Sequence, residues 1–244
     1  MYNFEKMLYV VGADQGLHFQ QVFSVLEKLD HKWAERCLHV PFGLIRFKEG
    51  KMSTRQGTLV FLEDVLTRAT ELAEQIIEEK NPALKNKGEV ARQVGIGAVI
   101  FGDLSNDRIK NIDFDWDKVL DFSGETAPYI QYSHARICSI LRKAEHWPAP
   151  YNAELLITDE EQAVVGTLAR FSDAITRSAM TYKPSIVARY LVDLAAAFNR
   201  FYHQCPVLNA PAEVRDARLA LVEAVRQVLV NGLTLLGIAA PEEM

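Results

Sequence analysis

The sequence predicts a mainly α protein in which the tail of an α/β sheet domain precedes an all-helical bundle. Three observations predict it. Met7 to Gly12 is a short apolar run closed by glycine and followed at once by a helical pattern, which reads as strand then helix. Two amphipathic stretches follow after residue 61. Beyond about residue 126 the apolar residues recur almost to the end of the chain at helical spacing, with no strand-like alternation.

Taken in order, MLYVVG is the first strand, and Leu17, Val22, Phe23, Leu26 and Leu29 mark the apolar stripe of the helix after it. Cys37 to Phe42 and Leu44 to Phe47 are short β-like runs, and Lys48 to Lys51 is a turn signal leading into the polar stretch Lys51 to Thr58. Leu62, Val65, Leu66, Ala69, Leu72, Ala73, Ile76 and Ile77 predict a helix over 62–79, ended by Asn81-Pro82. Another helix is expected from about Glu89 to Leu104, and the stretch Phe114 to Lys118 reads as irregular or extended.

Four helices are expected in the remainder. The first covers Tyr129 to Glu145; the second opens at Thr158, with Glu161 three residues on in the pattern of a capping box. Pro184 opens the third, where Val187, Leu191, Leu194, Phe198 and Phe201 form the seam of a bundle helix. The fourth runs from about Ala212 to Leu236 and is stopped by Gly237 and Pro241.

The chain has 244 residues, 49% hydrophobic and 24% charged, the composition of an ordinary globular protein of one or two domains. No window holds enough uncharged apolar residues to span a membrane, and the N-terminus lacks the order of a secretory signal. A cytoplasmic protein without membrane association is expected. Cys37, Cys138 and Cys205 are too scattered for a zinc site or a disulfide framework and read as buried thiols, so no metal site is expected. The net charge of −5 excludes a protein that coats nucleic acid through a global basic field. Any RNA contact must be local.

Two short motifs carry chemistry. In Tyr9 to His18 (YVVGADQGLH), glycine at a strand's end lets a ligand approach the backbone, and the following helix N-terminus offers N–H groups to polar or negative ligand atoms. Asp14 and His18 are placed on one face of the first helical turn. In Lys51-Met-Ser-Thr-Arg-Gln-Gly57, two cations bracket a pair of hydroxyls, an arrangement that suits a triphosphate and the charge on departing pyrophosphate. An ordinary strand–helix junction and a solvated loop are the plain alternatives.

Order and spacing distinguish them. KMSTR closely resembles the KMSKS signature of class I aminoacyl-tRNA synthetases, and it follows the GxDQ junction at the distance those enzymes use. With His39-Val-Pro-Phe-Gly43 between the motifs and Gly57-Thr-Leu-Val-Phe-Leu-Glu-Asp64 after them, Tyr9 to Asp64 resembles the arginyl-tRNA synthetase family specifically. Pro128 to Arg136, Asp216 to Leu219, Gly232 to Ile238 and the terminal Pro241-Glu-Glu-Met244 resemble that family's helical anticodon-binding domain, called DALR.

The resemblance implies a C-terminal remnant of a Rossmann-like α/β catalytic domain over residues 1–63, a helical connector over 64–125 and an anticodon-binding helical bundle over 126–244. It implies arginine–tRNA ligation, with ATP and its Mg²⁺ as substrate, no tightly bound cofactor, arginine tRNA as partner and a monomer. By the same resemblance Gly12 and Asp14 fall at the adenosine ribose, Gln15 near the arginine substrate, and His18 in the same signature. Lys51, Ser53, Thr54 and Arg55, with Met52, fall in the loop that closes on the ATP phosphates and the adenylate. Tyr129, Tyr132 and Met244 fall near the anticodon loop. Arg55 stands where the signature has its second lysine, keeping the charge on a planar fork. No His-x-Gly-His sequence occurs in the chain, so the first half of the nucleotide fold is expected to precede Met1. A tRNA-binding fragment without catalysis and a different class I synthetase, such as the one for cysteine, are the rival readings.

On the helix from Tyr129, Ile130, Ile137 and Leu141 share one stripe, while Tyr129, Tyr132 and Arg136 share another about 100° or more away. Aromatics beside a cation on an exposed stripe can stack an unpaired base and hold a phosphate. Tyrosines packed between helices with hydroxyls at the rim are the alternative. Trp116 and Trp147 read as packing residues, the basic residues from Arg215 to Arg226 as a solvated face, and His134 as a satisfied core residue.

Overall fold

The computed structural model describes residues 4–47, 60–144 and 150–244. Lys51, Met52, Ser53, Thr54 and Arg55, and Trp147 with them, lie outside the described residues.

The first layer follows the apolar pattern. Strand β1 (Met7–Gly12) pairs in parallel with β2 (Cys37–Phe42), in register from Met7 opposite Cys37 to Gly12 opposite Phe42. Helix α1 (Gly16–Lys28) makes the crossover between them, as a parallel pair requires. One expectation is corrected here: Ala13–Gln15 is a turn of 3-10 helix and α1 begins at Gly16, so Asp14 precedes the α-helix and does not share its first turn with His18. The tighter i to i+3 bonding takes the chain from the strand end into the helix.

A second parallel pair joins β3 (Ile45–Phe47) to β4 (Ile112–Phe114), and the connection between them contains α2 (Leu62–Lys80) and α3 (Lys87–Leu104). The stretch Phe114 to Lys118 therefore divides: Phe114 ends a strand, and Trp116 opens a short helix, α4 (Trp116–Val119). Local propensity does not separate these states over five residues; the partner strand Ile45–Phe47 supplies the ladder that makes one of them extended. Val65, Ala69, Ala73 and Ile77 of α2 are buried at helical spacing against Val90, Ala91, Val94 and Ala98 of α3.

The bundle holds five helices among the described residues where four were expected: α5 (Ala127–Lys143), α6 (Asp159–Ala169), α7 (Phe171–Thr181), α8 (Ser185–Gln204) and α9 (Ala212–Leu235). Helices α6 and α7 meet at Arg170, whose φ of −86° and ψ of 1° leave the α-helical region. No proline or glycine marks that break; packing of both pieces on α8 imposes it. The other boundaries follow local chemistry. Thr158 and Glu161 form the reciprocal capping box, Thr126 accepts from the Tyr129 N–H to cap α5, and Gly237 at φ 73° follows α9. The α8 seam Val187, Leu191, Leu194, Phe198 and Phe201 is buried at the centre of the bundle, with Phe101 of α3 reaching into the same core. No helix among the described residues is long and apolar enough to cross a membrane.

Candidate nucleic-acid interface and nucleotide site

At the nucleotide end, β1 and β2 run parallel, so Gly12 and Phe42 finish on the same edge. Ligands of open α/β sheets bind outside that carboxyl edge. A Cβ built on Gly12 would lie 2.8 Å from the Asp14 carboxylate Oδ1, so a side chain at residue 12 would displace that group. Asp14, Gln15 and His18 are all exposed here. Across the edge, the His39 Nε2 lies 3.0 Å from the Val11 carbonyl and its ring stacks on Phe19 with centroids 4.6 Å apart. A ring nitrogen facing a carbonyl oxygen carries the proton, which fixes the tautomer.

The second place is a cleft of about 550 Å³ between α5, the end of α8, residues 206–209 and the C-terminal tail. Tyr132 is 42% exposed, and the Arg136 guanidinium lies 4.8 Å from its ring centroid and 5.3 Å from that of Tyr202 on α8. The cation is thus held between two aromatic faces. Arg136 Nη1 also donates to Asn199 Oδ1 at 3.0 Å, and Asn199 Nδ2 donates to the Tyr129 hydroxyl at 3.0 Å and to Ser133 Oγ at 2.9 Å. Arg142 and Lys143 line the same cleft, so its walls are locally basic in a chain of net charge −5.

The tail that completes the cleft is held by side chains of α5. Gln131 Nε2 donates to the Ala239 carbonyl at 2.8 Å, His134 Nδ1 lies 2.9 Å from the Pro241 carbonyl, and Arg142 pairs with Glu243 at 3.3 Å. Asn81 Nδ2, at the end of α2, donates to the Met244 carbonyl at 3.0 Å. Met244 and Tyr132 together border a further cleft of about 410 Å³ against Ile76, Lys80 and Phe122. Burial drives the His134 pKa below its ordinary value, consistent with a neutral ring 1% exposed in the core. It also raises the Cys138 thiol, whose sulfur lies 3.6 Å from His134 Nε2.

Of the residues the sequence singled out, the structure therefore gathers Tyr132, Arg136 and Met244 at one cleft and places Tyr129 beneath it, half-buried against the core. Tyr202 and Asn199 were missed. Their signal was available: Asn199 is a polar residue inside an apolar helix, and Tyr202 lies three residues beyond it, beside the seam. The solvated-face reading of Arg215 to Arg226 is overturned, because Arg218 is 12% exposed and pairs with the buried Glu161, and Arg226 pairs with Glu223 at about one-quarter exposure.

Family models match both parts of the chain. Residues 1–116 match the model of the class I tRNA synthetase (R) catalytic domain, and residues 130–244 match that of the DALR anticodon binding domain. The chain belongs to the arginyl-tRNA synthetase family. It is 49% identical to the arginine–tRNA ligase of Halothermothrix orenii over 244 residues, all of this chain and 43% of that one. The arginine–tRNA ligase of Clostridioides difficile gives the same figures, 49% over 244 residues and 43% of its length. The solved arginyl-tRNA synthetase of Thermus thermophilus superposes with a TM-score of 0.90 at 38% identity, over 98% of this chain and 41% of that one. The chain thus spans less than half the length of these synthetases, and across that span the β1–α1–β2 edge and the helical bundle are both features of the synthetase fold.

Proposed function

We propose that this chain takes part in arginine–tRNA ligation, and that its α5–α8 cleft receives the anticodon loop of an arginine tRNA. The observation that carries this reading is the Tyr132–Arg136–Tyr202 ladder. Tyr132 and Tyr202 are 42% and 37% exposed, and what their rings leave uncovered can stack unpaired bases, while the cation between them can meet the phosphate that joins those bases. Met244 borders the same space, and the synthetase relatives supply the amino acid.

In this reading residues 1–63 belong to the ATP-binding domain, 64–125 connect it to the bundle, and 126–244 form the anticodon-binding unit. Gly12 and Asp14 meet the adenosine ribose, Gln15 the arginine side of the site with His18 in the same signature, and Lys51 to Arg55 the phosphates of ATP with its Mg²⁺. The carboxylate of arginine attacks the α-phosphate to give the adenylate and release pyrophosphate. The terminal ribose hydroxyl of the tRNA then attacks the adenylate's carbonyl, takes the arginyl group and releases AMP. The protein's share is position and charge stabilisation. A monomer in the cytoplasm suits this work.

A second reading, tRNA binding without catalysis, uses the same cleft. RNA binding needs only groups on the bundle and its tail, and Tyr132, Arg136, Tyr202 and Met244 all lie there. Titration with the anticodon stem-loop of an arginine tRNA tests what both share. Saturable binding that weakens when the anticodon is altered supports the cleft assignment, and equal binding of unrelated stem-loops overturns it. Arginine-dependent exchange of pyrophosphate into ATP then separates the two readings.

A further inference from the structure

Arg108 lies half-buried in the turn between α3 and β4 and joins two segments far apart in sequence. Its Nε donates to the carbonyl of Tyr182 at 2.9 Å, in the turn between α7 and α8. Its Nη1 donates to the carbonyl of Pro41 at 2.6 Å, near the end of β2. Its own carbonyl accepts from the Gly43 N–H at 2.7 Å, and the neighbouring Asp107 accepts from Lys183 Nζ at 2.9 Å.

Both sides are built to receive it. Tyr182 has φ 54° and ψ 41°, one of two non-glycine residues at positive φ among those described. This left-handed residue caps α7, where the Lys183 N–H returns to the Ser178 carbonyl at 3.1 Å and Ser178 Oγ donates to the Lys183 carbonyl at 2.9 Å. The turn is thus fixed, and the Tyr182 carbonyl within it is the one that Arg108 engages. On the other side, Leu44 N–H donates to Asn111 Oδ1 at 2.8 Å and the Ile112 N–H donates to the Leu44 carbonyl at 2.9 Å, which starts the β3–β4 pair. From β3 the sequence runs on to Lys51.

We propose that Arg108 is a positioning residue that ties the β2–β3 segment to the α7–α8 turn, so that the helical bundle sets where this segment sits. A guanidinium suits the role because its N–H groups diverge in a fixed fork and reach two carbonyls at once; an ammonium is a point charge without that geometry. The tie is mechanical and holds whatever RNA the bundle binds. Its use in synthesis, keeping the strand that precedes the signature in register with the anticodon cleft, rests on the function proposed above.

The test uses the whole chain with nitroxide labels at Ser24→Cys in α1 and Ala224→Cys in α9, both exposed, while the three native thiols are buried. Pulsed dipolar spectroscopy of the otherwise unchanged chain is expected to give one narrow distance. Arg108→Ala is expected to lose it, with helix content unchanged, and Arg108→Lys to lose it as well. Tyr182→Gly keeps the left-handed turn and its carbonyl and is expected to keep the narrow distance. If Arg108→Ala does not fold, Arg108→Lys decides in its place. An unchanged narrow distribution in the folded arginine variant overturns the proposal, as does its loss in Tyr182→Gly with Arg108 intact. Binding of the anticodon stem-loop is expected to be the same in the Arg108 variants as in the parent chain. Failure of the parent to bind that RNA sinks the proposed function and leaves the distance result standing.

Discussion

Arg218 of α9 donates from Nε to Glu161 Oε1 at 2.6 Å, across the bundle, to a carboxylate with no solvent exposure. The other carboxylate oxygen accepts from the Thr158 N–H at 2.8 Å, and a second Arg218 N–H reaches the Pro206 carbonyl at 2.7 Å. Burial by itself raises the Glu161 pKa, but the Thr158 N–H and the guanidinium outweigh it and hold the carboxyl below its ordinary value. Removing the arginine strands a buried charge. Arg218→Ala is expected to cost about 3–5 kcal/mol in thermal or denaturant unfolding, and Glu161→Gln combined with Arg218→Met to recover most of it.

His134 gives the bundle a pH dependence of its own. Its folded pKa lies below 6.5, because burial disfavours the charged ring. Below pH 6.5 the unfolded chain therefore binds the proton that the folded chain refuses, and stability falls as pH falls through that window. His134→Asn keeps a donor for the Pro241 carbonyl and removes the titration. Melting series from neutral to mildly acid pH are expected to show a steeper decline in the parent chain than in the variant, and parallel curves would refute this.

Tyr129 and Tyr132 are expected to part company. Tyr132→Ala, at an exposed ring, should weaken tRNA binding by about 1–3 kcal/mol with little change in melting, and Tyr202→Ala should do the same. Tyr129→Ala removes a half-buried ring and a partner of Asn199, so its main effect is expected in the melting temperature. Titrations beside thermal melts decide between these outcomes.

Arg136→Ala should reduce the slope of log affinity against log salt by about one ion and weaken matched and altered anticodons alike. An unchanged slope would place this guanidinium in the protein's own network with Asn199 and nowhere near phosphate.

Residues 126–244 expressed alone are expected to form a helical unit with a cooperative melt, since the seams of α5 to α9 bury one another. The unit should be less stable than the whole chain. It lacks Phe101, which is 2% exposed in the same core, and Phe101→Ala in the whole chain should cost about 3–5 kcal/mol.

The sequence by itself determined the strands at Met7 and Cys37, the α8 seam, the Thr158–Glu161 cap and the end of α9, because hydrophobic period and end-capping are written in residues a few positions apart. It also placed Tyr132 and Arg136 on one stripe, since a helix fixes that neighbourhood whatever surrounds it. Tertiary structure alone decided the rest. Tyr202 joins that stripe from 66 residues beyond Arg136 (202 − 136), and Arg218 finds Glu161 across the bundle. The break at Arg170 carries no proline or glycine signal and is set by the packing of both helices on α8, and the carbonyl of Tyr182, whose left-handed turn caps α7, meets Arg108 only in the folded chain. A side chain's partner is set by how whole elements dock, and docking sums many small apolar contacts that no short window of sequence contains.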